Sequence, residues 1–511
     1  MERNRWFSLA LLAGFLLRLL AMIGYPGALW FAGDSYVYVG AALRPQPNLS
    51  KSTGYSLFLR LLLPFHSFTL VTLVQHLMGL GVAVMIYALA RRYGVSKKWA
   101  TIATLPQLLD GYIIEDEHLI MAETVFTFCL MLATLLLLWT TRTKWWVALI
   151  AGLLVGYAII DRTEGAVMLG VVPLLVLIRS GRAYGWRKLH TWLITVLAGV
   201  GCLVPVASYD TWFHHYSGTW SATGTMSDGF YLWGRVSSFA VCSEIHAPAD
   251  VMKVCPTDPV TKRSAPGNYI WHASVLRDPH AYINTIGGSV STAGNSLLTK
   301  FDEAAIESQP FDYLKAVVKG AAMSFEWPRQ DYPGAGTVYY YDFHLHYVTS
   351  TYNLLPPNDH VWIKGGTAYS DWLSYGHQDP GVVVKPVAVL ILGYERIFYT
   401  WGPLLFLIFV MGLGGVLTIT RRPWRLRWQR RQGSMFPWIS AVVLLVIPVA
   451  TADFDYRYLI PVIPFACLAA GLGFAPVRVK PEPPAPAAGT AEEAEPARAV
   501  LRLPHGDLAD A

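Results

Sequence analysis

Five short stretches set charged side chains directly beside long apolar runs. WFAGDSYVYVG holds a single acid, Asp34, and SKSTGYSLFLRLL holds Lys51. IIEDEHLIMAETVF carries Glu115, Asp116, Glu117, His118 and Glu123. DRTEG carries Asp161, Arg162 and Glu164, and DFDYRYLIPVIP carries Asp453, Asp455 and Arg457. These residue types suit one kind of chemistry. An arginine grips phosphate through two parallel hydrogen bonds and stays charged. A carboxylate beside a reacting hydroxyl can take its proton. Two carboxylates can hold a divalent metal, Mg or Mn, on a phosphate or diphosphate. The breaking of a sugar–phosphate bond needs such a set, with the phosphate on a lipid whose tail stays in the bilayer.

Each residue also has a plainer reading. A lone Asp beside a helix start often caps it. EDEH reads equally as a solvated turn. Arg162 and Arg457 can pair with Asp161, Glu164, Asp453 or Asp455, and Lys51 can meet lipid headgroups. Arg18, inside the first apolar run, is expected to snorkel to an interface. Glu117 and Glu123 stand six residues apart, so on one helix they would lie on different faces.

The elements that must position these residues are membrane spans. Of 511 residues, 54% are hydrophobic and 14% charged, against about 25% charged in soluble domains. Roughly 20 apolar residues cross a bilayer as a helix. The chain reads as an all-α polytopic membrane protein with about ten such spans, counted by that rule. The first span lacks the small-residue cleavage pattern of a removable signal peptide and is read as retained. Arg3 and Arg5 precede it, and RRYGVSKK, TTRTK, RSGRAYGWRKLH and RRPWRLRWQRR follow later spans. Such basic clusters mark cytoplasmic loops. Alternation then puts Asp34, the acids at 115–117, Asp161, Glu164, Asp453 and Asp455 on the outer face.

Four parts follow. Residues 1–208 form an N-terminal transmembrane module with the charged outer loops. Residues 209–386 form a folded extracytoplasmic insert of mixed structure, with turn clusters such as SDGFYLWG and RQDYPGAG. Residues 387–475 return to transmembrane helices, and 476–511 are a cytoplasmic tail rich in Pro, Ala and Glu, of disordered composition. Cys242 and Cys255 lie in the insert. Outside the cytoplasm they would form a disulfide, and inside it two free thiols. The net charge of +6 sits in loop clusters between spans and does not suggest nucleic acid. There is no Walker loop, GxSxG elbow or CxxC pattern, so an ATP-driven pump or serine hydrolase has no support.

Taken in order, four elements resemble the GT-C glycosyltransferases. The likeness is to the bacterial phospholipid-carrier-dependent enzymes, relatives of protein O-mannosyltransferases and of the lipid A aminoarabinose transferase. GDSYVYVGAA follows the first span, and STGYSLFLRLLLP leads to LVQHLMG in the second. EDEHLIMAETVFTF is an acidic turn before a span, and RYLIPVIPF opens the last one. The resemblance implies a hexosyl- or pentosyltransferase that moves sugar from a polyprenyl-phosphate donor, with inversion. The acceptor would be a cell-envelope glycan, lipid or protein outside a bacterial inner (plasma) membrane. It implies Asp34 as base and Glu117 as second acid, with Asp116 next and His118 and Glu123 behind. It implies Arg162, Arg457 and Lys51 for the donor phosphate, although Ser52 and Thr53 stand where the family often has prolines. It leaves open a metal shared by Asp34 and Glu117. The rival class is a membrane transporter or a flippase of lipid-linked substrate. An enzyme should gather Asp34, Glu117, Arg162 and Arg457 in one outer cavity, whereas a transporter should show a central pathway.

Overall fold

The computed structural model describes residues 4–221, 224–346, 363–377, 382–417 and 424–475. The tail expected from residue 476 lies outside the described residues. Among these residues every regular element is a helix, apart from an isolated parallel bridge between Leu29 and Leu119. Six helices are long and apolar enough to cross a membrane: Arg5–Gly24, Phe68–Arg92, Thr163–Tyr184, Leu189–Ser217, Gly433–Thr451 and Tyr456–Gly473. The chain is an all-α polytopic membrane protein. The shorter apolar helices Glu123–Trp139, Trp145–Asp161 and Gly402–Leu417 occupy other expected spans.

One expected span is broken. The segment ending near Ile114 forms three short helices, Lys97–Ile102, Leu105–Leu109 and Gly111–Asp116. Pro106 sits in the first turn of the second helix. The Asp110 carboxylate accepts from the Tyr112 and Ile113 amides at 3.0 and 3.4 Å and caps the third. Both features favour starting a helix over continuing one.

The first span shows how burial divides in a lipid-facing helix. It exposes Trp6, Leu9, Leu12, Leu16, Leu19 and Ile23, and buries Gly14, Arg18, Ala21 and Gly24. Steps of three and four residues keep each set on one side. The exposed apolar side is the face a bilayer would cover.

Close backbone contact joins other spans. Leu189–Ser217 runs along Trp145–Asp161, where Gly152, Gly156 and Gly201 leave no room for a Cβ. A Cβ on Gly152 would run into the Ala198 carbonyl. Lipid gives helices no hydrophobic reason to associate, so such contact supplies much of the attraction. Gly152→Val should cost about 1–3 kcal/mol through overpacking. It should lower the thermal unfolding midpoint in detergent and leave donor affinity unchanged. An unchanged midpoint would show that the pair separates freely.

The insert differs from the mixed structure expected. Its described residues form short helices, among them Asp228–Ser237, Pro266–His272, Thr292–Ser308 and Pro310–Ala322. Two of these begin with proline at the first turn, where a missing N–H costs nothing. Trp233 and Phe301 centre a separate apolar core, and Cys242 and Cys255 form a disulfide beside it. Cys129, Cys202 and Cys467 are free and buried.

Candidate active site

The exit of the first span is tied to the acidic turn. The Leu29 amide donates to the His118 carbonyl at 2.9 Å, and the Ile120 amide donates to the Leu29 carbonyl at 3.1 Å. Gln75, from Phe68–Arg92, donates to the Glu117 and Leu119 carbonyls at 2.9 and 2.8 Å. The Tyr55 hydroxyl donates to Gln75 Oε1 at 2.6 Å. Buried backbone groups need partners, which accounts for a glutamine in the apolar LVQHLMG run.

Directly after this junction, helix Ala32–Leu43 starts with Asp34 in its first turn. Asp34 is not the cap. The N-cap position is Phe31 and carries no side-chain cap hydrogen bond; the Ser35 hydroxyl, one turn in, accepts from the Phe31 amide at 2.8 Å. The Asp34 carboxylate lies between two cations, Lys51 Nζ at 2.8 Å and Arg457 Nη1 at 3.1 Å. Arg457 Nε lies 3.6 Å from Asp455 and 3.8 Å from Glu123. Arg162 pairs with Glu123, and with Glu164 at 2.9 Å. The Tyr458 ring stands 5.3 Å from the Arg457 guanidinium and 5.6 Å from that of Arg162. Five sequence segments thus supply one continuous charged network.

The Lys51 loop is held at several points. Asn48 Oδ1 accepts from the Ser50 and Lys51 amides at 2.8 and 3.1 Å. The Ser52 hydroxyl donates to the Asp161 carbonyl at 3.1 Å, and the Thr53 amide donates to the Tyr209 hydroxyl at 3.1 Å. These contacts fix the loop between the Trp145–Asp161 and Leu189–Ser217 helices, so Lys51 does not lie free at a lipid surface.

Burial pushes the Asp34 carboxyl up, but Lys51 and Arg457 more than reverse this and hold it at about 2. Asp34 is therefore an anion at any physiological pH. While both cations grip it, it is a weak base, because proton affinity falls with pKa.

Glu117 lies in a second network. Arg18 Nε and Nη2 each reach its carboxylate at 2.7 Å, and His76 Nδ1 lies 2.9 Å from the same group. His76 Nε2 is 2.9 Å from His118 Nδ1, and His118 Nε2 is 2.8 Å from the Tyr25 carbonyl. Arg18 does not snorkel, because it finds acceptors inside the protein. Nor is EDEH a solvated turn, since Glu115, Asp116, Glu117 and His118 are all buried. Asp116 accepts from Thr124 Oγ1 at 3.1 Å.

These pairings bear on a metal. The two Asp34 oxygens face Lys51 and Arg457, and both Glu117 oxygens face Arg18 or His76. A divalent ion shared by Asp34 and Glu117 does not fit this arrangement. Among the described residues no group of three or more His, Cys, Asp or Glu side chains is placed to hold a metal ion.

A polar cavity of about 160 Å³ adjoins the first network and is lined by Glu115, Asp116, Arg329, Tyr341, Asp342 and Arg457, among others. The Tyr341 hydroxyl donates to Asp455 at 2.9 Å. Arg235 meets Asp453 at 3.0 Å, so the insert packs on the turn before the last span. Sequence reasoning missed Arg329, Tyr341 and Asp342. They belong to the long insert, where RQDYPGAG stood out only as a turn.

Of the residues singled out from sequence, Asp34, Lys51, Glu123, Arg162 and Arg457 come together. Asp116 lines the adjoining cavity, while Glu117 and His118 join the second network. Residues 48–216 match the family model PMT, described as dolichyl-phosphate-mannose-protein mannosyltransferase. The match spans about a third of the chain. It contains Lys51, Glu117, Glu123 and Arg162, whereas Asp34 and Arg457 lie outside it. No curated protein matches the chain.

Proposed function

We propose that this protein transfers a sugar from a polyprenyl-phosphate donor to an acceptor hydroxyl at the extracytoplasmic face of a plasma membrane. The PMT match supports a membrane glycosyltransferase that uses a lipid-linked sugar. The observation that carries the reading is the Asp34 carboxylate held between Lys51 and Arg457, with Arg457 itself on the wall of a cavity.

The donor phosphate competes with Asp34 for Lys51 and Arg457, and Arg162 adds positive charge nearby. As the cations turn to phosphate, Asp34 regains basicity. It then takes the proton of the acceptor hydroxyl. The hydroxyl oxygen bonds to the anomeric carbon, the bond from that carbon to the phosphate oxygen breaks, and configuration inverts. Polyprenyl phosphate leaves against cations already in position, which is electrostatic catalysis without reorganisation. Glu123 keeps Arg162 and Arg457 together. Glu117 receives no chemical step here, because Arg18 and His76 occupy its carboxylate.

The test is release of polyprenyl phosphate from a panel of polyprenyl-phosphate sugars by purified protein in liposomes. Release that depends on an added acceptor supports the reading. Movement of intact donor across the bilayer without release would favour a flippase. Arg457→Ala should raise the donor KM roughly tenfold or more, as expected for losing a charge-assisted hydrogen bond, with acceptor KM little changed. An unaltered donor KM would remove Arg457 from the phosphate site.

A further inference from the structure

Lys51, Arg162 and Arg457 all have carboxylate partners within the protein. Arg329 is different. Among the described residues its guanidinium makes no ion pair and no hydrogen bond, and rings hold it instead. It lies 4.0 Å from the Tyr112 ring, 4.8 Å from Tyr456 and 4.9 Å from Tyr399. Stacked rings fix a guanidinium plane without using its N–H donors. Those donors border the same cavity as Arg457.

Tyr399 also belongs to a second space. An apolar groove of about 460 Å³ is walled by Leu105, Phe398, Tyr399, Leu404, Met411 and Phe474, with others. Phe398, Leu404 and Phe474 are each at least 40% exposed, so the groove opens toward the bilayer. The Tyr399 ring on the groove wall meets the Tyr112 ring on the cavity wall edge-on at 5.5 Å, so this ring pair, with Arg329 against it, is what divides groove from cavity.

We infer that Arg329 binds the phosphate of a polyprenyl phosphate in this cavity, with its isoprenoid tail in the groove that ends at Tyr399. The adjacency carries the argument: an apolar groove that ends one ring pair away from a cation with no ion pair among the described residues calls for an anionic head on a long apolar tail. The site rests on the transferase reading for its role, since it places the donor beside Arg457 and Asp34. Four acids line the cavity, Glu115, Asp116, Asp331 and Asp342, and three of them oppose an anion less than their number suggests; burial pushes the Asp342 carboxyl up. Burial, then Glu395, raises Glu115 well above the usual carboxylate range, and burial with Glu123 does the same to Asp116. Both are thereby pushed toward the neutral form, which donates a hydrogen bond to phosphate or sugar oxygens.

The experiment is binding by the full chain in phosphatidylcholine nanodiscs, followed by native mass spectrometry. The probes are polyprenyl phosphate, polyprenol and phosphatidylglycerol. Arg329→Ala should weaken polyprenyl phosphate binding roughly 10- to 100-fold and leave polyprenol binding unchanged. Arg329→Lys should restore part of the loss and shows that the position tolerates change. Ala470→Phe, which fills the groove, should weaken both polyprenyl probes. Wild-type affinity in Arg329→Ala, or equal competition by phosphatidylglycerol, overturns the inference. Active transfer with undiminished binding by Arg329→Ala would sink this site and spare the transferase reading. Arg329-dependent binding without transfer from any donor would do the reverse.

Discussion

Asp34→Asn is expected to lower sugar transfer by about two to four orders of magnitude, the usual contribution of a positioned general base. The change keeps the shape of the side chain and removes its charge. Lys51 and Arg457 then lose their shared partner and are free to take the donor phosphate. Donor affinity should stay the same or rise, so the loss should fall on kcat. This split separates a base from a merely structural acid, whose removal would disturb donor binding too. Stability should respond in a defined direction. The Asp34 pKa is depressed from its ordinary 3.8 to about 2, so its charge contributes fully above about pH 4 and loses that contribution as pH falls through about 2. At pH 7 the Asn variant therefore lacks the whole of it. Purified wild type and variant, compared for kcat, donor Kd and unfolding midpoint, check all three points. Near-normal kcat in the variant would discard Asp34 as the base.

Arg18→Met is expected to be the most destabilising single change considered, costing about 3–5 kcal/mol. Arg18 is 2% exposed. Its guanidinium has five N–H donors. Two meet Glu117 at 2.7 Å, two go to the Gly14 and Leu108 carbonyls at 3.0 and 2.9 Å, and one to Gln107 at 3.2 Å. Removing it leaves the Glu117 charge buried with only His76 beside it. Gly79 has no side chain where Glu117 approaches it, so the carboxylate is hemmed in and cannot turn to water. The Arg18→Met, Glu117→Leu double variant should recover much of the stability, because two apolar groups strand no charge. Unfolding midpoints of wild type, both single variants and the double in one detergent measure the coupling. Equal midpoints for wild type and Arg18→Met would show that water reaches Glu117 after all.

The membrane character of this protein was legible in the sequence because it depends on local composition. An apolar stretch long enough to cross a bilayer is a property of neighbouring residues, and so is a charged residue at its end. Arg5–Gly24 and Phe68–Arg92 were visible for this reason, and so were the positions of Asp34, Lys51, Arg162 and Arg457 beside apolar runs. The break at Pro106 and Asp110 was written in residue types too, but an apolar average over the segment hides it. Partner choice among charges was not legible. Asp34 and Arg457 are 423 residues apart, and Arg18 and Glu117 are 99 apart. Such pairs depend on which helix faces meet and on the backbone bridge at Leu29. That is why Glu123 joined the Asp34 network while Glu117, the second acid implied by the resemblance, turned to Arg18. Arg329 carried no signal at all, since three tyrosines distant in sequence orient it. Only packing in three dimensions, where Coulomb attraction acts across a few ångströms of dry protein, decides which acid meets which base.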